Sequence, residues 1–161
     1  MELDFTDEES INDAAKGFAD KPLSVLTNCG GMYQLWDDKR FTEQTAGDLL
    51  AHFKVNVVGP FLAAKAFLLA LERAGRGKII TVSSDYASTA DNTGGNACYR
   101  ISKTGVNQLT KTMAAGLAKL GSKVMTGFYG EDNMEECMNG LADIVARFGT
   151  AECAEIPMES I

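Results

Sequence analysis

Two short apolar runs, Leu23-Ser24-Val25-Leu26-Thr27 and Lys78-Ile79-Ile80-Thr81-Val82, stand between longer stretches with helical spacing. The second is β-branched, follows Gly75 and Gly77, and leads straight into Ser83-Ser84, so it reads as a buried strand with hydroxyls at its C-terminal end. Lys123 to Thr126 reads as a further short strand. Thr6 followed by Glu9 forms a capping-box pattern that predicts a helix from Asp7 to about Ala19. A longer helical region runs from about Thr45 to Ala74, with the polar Asn56 inside its apolar pattern and Gly59-Pro60 interrupting it. A helix from about Cys98 to Leu120 is expected to bury Val106, Leu109, Met113, Leu117 and Leu120, and Gly121 ends it. Met134, Cys137, Met138, Leu141, Ile144 and Phe148 mark one face of a last helix, about Asn133 to Phe148, and read as core rather than chemistry. Strand and helix alternate, which predicts an α/β fold with a parallel sheet covered by helices on both faces.

Composition narrows the partners. The chain has 161 residues, 45% hydrophobic, with 16 Gly, enough for one domain with a sizeable core. Fifteen basic residues against 22 acidic ones give a formal charge of −7, which argues against nucleic acid or an anionic membrane as the main partner. Cys29, Cys98, Cys137 and Cys153 include no C-x-x-C pair, and His52 is the sole histidine, so no metal site is expected. Reduced thiols, the absence of a basic and apolar signal pattern, and the charges that break the apolar stretch Phe61 to Leu71 point to the cytoplasm. The bland reading of Trp36 is loop packing.

The strongest chemical signal is Tyr99-Arg100-Ile101-Ser102-Lys103. Residues four apart project from one helix face, so the phenol of Tyr99 and the ammonium of Lys103 lie close together. A neighbouring positive charge favours the phenolate and makes the phenol an acid usable nearer neutral pH. Such a group can exchange a proton with a substrate oxygen. The serines after Val82 lie at the strand end where ligands of open parallel sheets bind. Asn56, if buried in its helix, requires hydrogen-bond partners.

Together these pieces resemble the short-chain dehydrogenase/reductase family over roughly residues 1 to 126. Gly94-Gly95-Asn96-Ala97-Cys98-Tyr99-Arg100-Ile101-Ser102-Lys103 is most similar to its C-factor or sniffer-like branch. The resemblance implies Tyr99 as catalytic acid/base, Lys103 as the residue that lowers its pKa and holds the nicotinamide ribose, Ser84 as the hydroxyl on the substrate carbonyl, and Asn56 as support for a water-linked proton relay. Asn28-Cys29-Gly30-Gly31 is similar to the family's Asn-Asn-Ala-Gly turn, which implies cofactor contacts at Asn28 and Gly31, with Cys29 and Gly30 as departures. Leu3-Asp4-Phe5-Thr6 is similar to the strand end whose Asp contacts adenine, which points to Asp4. The implied cofactor is NAD or NADP, and the implied substrate a small carbonyl compound or alcohol.

The departures shape the expectation. No strand, Gly-rich turn and helix opens the chain, so the resemblance implies a single truncated NAD(P)-binding domain over 1–161, a partial Rossmann-like doubly wound sheet missing its first two strands. The strand from Leu23 to Thr27 then becomes an edge, and uncovering three apolar side chains removes about 5 to 9 kcal/mol of burial. After Lys123 to Thr126 the order Gly127-Phe128-Tyr129-Gly130 lacks the family's Pro and Thr, so no cofactor contact is assigned there. Two functions compete: NAD(P)-dependent oxidoreductase, or a non-catalytic remnant acting through association. For the latter, the two long helices offer an apolar surface for a homo-oligomer. A Cys-His hydrolase built on His52 has no matching nucleophile pattern.

Overall fold

Three strands pair in parallel in the order β1-β2-β3: β1 Val25–Asn28, β2 Lys78–Val82 and β3 Met125–Tyr129. The computed structural model describes residues 3–18, 20–33, 40–122 and 125–129. The register sets Val25 beside Lys78 and Asn28 beside Thr81 across β1 and β2, and Val82 beside Tyr129 across β2 and β3. β1 is displaced toward the C-terminus, running from Val25 to Asn28 rather than from Leu23 to Thr27, and the described part of the strand expected from Lys123 to Thr126 is β3, Met125–Tyr129. Among the described residues β1 is an edge of this sheet, as the family resemblance implies. Leu23, Val25 and Leu26 are half-buried accordingly.

Helix α1 spans Glu8–Lys16, and its N-cap is Asp7, whose carboxylate accepts from the Glu9 N–H at 2.9 Å. The expected Thr6 cap is displaced because the Thr6 hydroxyl turns back to Asp4 Oδ1 at 2.8 Å. The long helical region is continuous: α2 Ala46–Phe53 passes through one π-helical segment, Lys54–Val58, into α3 Gly59–Arg73. Thr45 and Asp48 cap α2 reciprocally. The expected Gly-Pro interruption does not occur. Pro60 has no N–H to return to the Asn56 carbonyl, and the ladder widens by one residue, with the Gly59 N–H bonding the Lys54 carbonyl. By length and composition the run Ala46–Arg73 is apolar enough to cross a membrane, but its buried face packs into the fold.

Ala14, Ala64, Phe67, Leu71 and Ile79 form the core, joined at its edge by Leu3, Phe18, Leu23, Leu26, Met113 and Leu117. α4, Ala97–Lys119, is the helix expected from Cys98 to Leu120. Its most buried positions are Cys98, Ser102, Lys103, Val106 and Thr110. Leu109, Met113 and Leu117 are only half-buried, and Leu120, just past the helix end, is 83% exposed. The helix predicted over about 133 to 148 and the loop role of Trp36 lie outside the described residues.

Phe5 closes the space beside β1. A methyl group at Gly30 would come within 2.6 Å of Phe5 Cε2, and one at Gly59 within 2.5 Å of Phe5 Cβ and 3.0 Å of its carbonyl oxygen. Where the resemblance leads one to expect Ala, a Cβ at Gly30 would require the Phe5 ring to shift. At Gly59 the neighbouring atoms are near the backbone and cannot swing away. Gly59→Ala is therefore expected to destabilise the fold by about 1 to 3 kcal/mol, although Gly→Ala inside a helix ordinarily gains about 1 kcal/mol. Denaturant midpoints of the two proteins check the sign.

Candidate active site

The turn after β1, the π segment and the first two turns of α4 meet at one place. Asn56, 1% exposed, is held there by three hydrogen bonds. Its Oδ1 accepts the Met32 N–H at 2.6 Å, and its Nδ2 donates to the Met32 carbonyl at 3.0 Å and to Ser102 Oγ at 2.8 Å. Ser102 in turn donates to the Tyr99 carbonyl at 2.7 Å. The amide thus fastens the β1 turn to the helix that carries Tyr99. Both faces of the amide are consumed in this clamp, which satisfies the requirement for partners that burial imposes.

Lys103 projects from the same helix, largely buried, and donates to the Val82 carbonyl at the end of β2 at 2.9 Å. Its Nζ stands 5.7 Å from the centroid of the Tyr99 ring, as the four-residue spacing predicts. Gly31 completes this group: a side chain there would begin 3.5 Å from both Lys103 Nζ and Asn56 Oδ1. Gly31, Asn56, Tyr99 and Lys103 are therefore brought together around the turn after β1.

Ser84 follows the C-terminal end of β2, two residues beyond the Val82 whose carbonyl Lys103 engages. It caps the short 3-10 turn Asp85–Ala87, accepting from the Tyr86 N–H at 3.2 Å and donating to Asp85 Oδ1 at 2.8 Å. Its neighbour Ser83 is tied to Asn107 of α4 at 2.5 Å. Asp4 is exposed, and its Oδ1 accepts from the Thr6 backbone N–H at 2.7 Å and the Thr6 hydroxyl at 2.8 Å. Those bonds, with a smaller contribution from the Lys54 charge, hold its carboxyl below the ordinary range.

Asn28 is enclosed, 2% exposed, and its Nδ2 finds no hydrogen-bond partner among the described residues. Thr81, its register partner on β2, is equally enclosed, and its hydroxyl also finds none among them. A buried, unpaired hydroxyl costs stability that an apolar isostere recovers. Thr81→Val is accordingly expected to leave the melting temperature unchanged or to raise it, by up to about 1 kcal/mol equivalent, checked by differential scanning calorimetry.

Three residues of this region escaped the sequence reading. Ser102 shares the helix face of Tyr99 at a three-residue spacing, a signal that helical geometry contains but that a polar residue in a helix does not by itself advertise. Tyr33 and Tyr86 pack their rings against Tyr99 at centroid distances of 4.6 and 5.9 Å. No spacing rule links residues on a turn, a 3-10 helix and an α-helix. His52 Nδ1 pairs with the Asp48 carbonyl at 2.8 Å, and its ring lies 6.5 Å from that of Tyr99, so it is a packed helix residue. Among the described residues no cluster of metal-ligating side chains occurs.

A parallel sheet whose strand ends face a Tyr-x-x-x-Lys helix defines a partial Rossmann-like, doubly wound α/β protein. The family model described as short chain dehydrogenase matches residues 1–130, and the chain belongs to that family. Galactitol 2-dehydrogenase (L-tagatose-forming) of Cereibacter sphaeroides is 34% identical over 122 residues, covering 75% of this chain and 47% of that protein. C-signal of Myxococcus xanthus is 31% identical over 101 residues, 62% of this chain and 60% of its own length. The NADPH-bound carbonyl reductase from chicken fatty liver has the same fold, with a TM-score of 0.69 at 26% identity over 78% of this chain and 54% of that one. The chain thus spans 47% to 60% of the curated relatives named here.

Proposed function

We propose that this chain carries the proton-transfer half of an NAD(P)-dependent oxidoreductase that interconverts a small carbonyl compound and its alcohol. The single observation behind this reading is the convergence of Lys103 Nζ and Asn56 Oδ1 on Gly31, with Tyr99 alongside. A backbone without a side chain, next to an ammonium and a phenol, suits a ribose and a flat ring at the strand ends. Gly31, Tyr99 and Lys103 are the residues that would hold the nicotinamide nucleoside. When bound, the nicotinamide supplies or accepts the hydride at the carbonyl carbon.

The chain's own residues manage the oxygen of that carbonyl. Tyr99 Oη gives its proton to the oxygen as the hydride arrives, leaving an alcohol, and takes the proton back in the reverse direction. Lys103 stabilises the phenolate that remains. Ser84 must release Asp85 Oδ1 to donate to the substrate oxygen, since a hydroxyl carries one proton. Asn56 acts by holding Met32 and Ser102 in place, and thereby the β1 turn against Tyr99. NADPH in the carbonyl reductase structure and the dehydrogenase name of the first relative support the reaction class.

Titration of the chain with NADH and NADPH, followed by dinucleotide fluorescence and thermal stability together, tests this reading. Saturable binding is expected, weakened about ten- to a hundredfold by Lys103→Ala. A folded chain that binds neither dinucleotide would sink it. A second reading, association without catalysis, draws on the exposed Leu50, Val58, Phe61 and Leu69 along α2 to α3 and Ile101 on α4. Sedimentation equilibrium that returns only monomer removes that alternative.

A further inference from the structure

Three tyrosines from three separate segments meet, one of them the proposed proton donor. Tyr33 follows the β1 turn, Tyr86 lies in the 3-10 turn after β2, and Tyr99 is on α4. Their centroids are 4.6 Å apart for Tyr33 and Tyr99, 5.9 Å for Tyr86 and Tyr99, and 6.1 Å for Tyr33 and Tyr86. All three pairs meet edge to face, with interplanar angles of 61° to 68°. Tyr33 is 38% exposed, so the cluster opens to solvent on its side.

The head of α4 braces this cluster. Asn96, the one non-glycine residue with positive φ among the described residues, donates from Nδ2 to the Tyr33 hydroxyl at 3.1 Å. The Arg100 guanidinium stands 4.4 Å from the centre of the Tyr86 ring, while its Nε donates to the Gly94 and Gly95 carbonyls at 3.1 and 3.2 Å. Asp85 Oδ1 accepts from Ser84 Oγ and from the Tyr86 N–H. Each of these polar groups thus has a partner inside the protein, and the rings of Tyr33 and Tyr86 are the side chains packed against the Tyr99 ring.

That arrangement discriminates between carbonyl substrates. A hydroxyl-rich chain entering here would exchange water for ring faces and edges, and each unpaired hydroxyl weakens binding. A flat ring gains an edge-to-face or offset partner from a cluster already packed in that geometry. We infer that Tyr33, Tyr86 and Tyr99 form a selecting mouth that favours a carbonyl compound with an aromatic ring next to the carbonyl over a polyol or open-chain sugar. The inference rests on the proposed oxidoreductase reading for its carbonyl, and Tyr33 is its specificity-determining residue.

Binding measured without turnover keeps the two ideas separable. Acetophenone and sorbitol are titrated into the chain by saturation-transfer NMR, with Tyr33→Phe, Tyr33→Ala and Tyr33→Leu alongside and circular dichroism as the check on folding. Acetophenone is expected to bind saturably, within about twofold for Tyr33→Phe and about tenfold more weakly once the ring is gone. Sorbitol is expected to show no saturable binding. Unchanged acetophenone affinity in whichever ring-free variant folds, or sorbitol binding more tightly than acetophenone, overturns the inference. Tyr33-dependent binding without dinucleotide-dependent turnover supports the selecting mouth and counts against the oxidoreductase reading. Turnover with no preference for the ring compound overturns the mouth alone.

Discussion

Tyr99→Phe is expected to lower carbonyl turnover by about 10²- to 10⁴-fold, the range that a positioned proton donor contributes. The substitution keeps the ring that packs against Tyr33 and Tyr86 and removes only the hydroxyl. Thermal stability should therefore change by less than about 1 kcal/mol, and dinucleotide binding should persist. This separates the phenol from Lys103, whose removal is expected to weaken the dinucleotide itself. Oxidation of NADPH with a panel of ketones, alongside the binding titration, reads both quantities. Equal loss of binding and turnover in Tyr99→Phe would assign the phenol to holding the cofactor rather than to moving a proton.

Asn56→Ala is expected to cost about 3 kcal/mol of folding stability, because it deprives the Met32 N–H, the Met32 carbonyl and Ser102 Oγ of their partner at once. Asn56→Asp makes the argument specific. A carboxylate keeps the acceptor for the Met32 N–H but loses both donors and places a charge at a site only 1% exposed, so it should be at least as damaging as Ala. Urea denaturation of the three proteins measures the differences. If Asp proves milder than Ala, the packed volume at this position matters more than the two donated bonds.

Local order in the chain made much of the framework legible. β-branched residues bounded by glycine marked β2, and helical spacing marked the region that became α2 and α3 and also α4. Capping chemistry located the start of α1 within a residue, with Asp7 in place of Thr6 because Thr6 is engaged by Asp4. Pro60 signalled a disturbance in the long helix, and the backbone answered it with a π-helical turn rather than a break. Whether a helix absorbs a missing N–H in that way depends on what packs around it, and here Phe5 presses against Gly59 from a segment far away in sequence.

The candidate site divides along the same line. Tyr99 and Lys103 were readable together because a four-residue spacing on a helix is a distance in space, set by backbone geometry alone. Asn56 was readable as a polar group that needed partners, but those partners were not. Its bonds reach 24 residues back to Met32 and 46 residues forward to Ser102, and the Asn96 bond to Tyr33 spans 63 residues. The sequence by itself determined the α/β alternation and the phenol–ammonium pair, both properties of local spacing and of which residues favour strands or helices. Only the tertiary structure decided that the β1 turn is fastened to α4 through Asn56, that Phe5 crowds Gly30 and Gly59, and that Tyr33 and Tyr86 pack against Tyr99. Such contacts depend on how the elements pack, and no period along the chain encodes them.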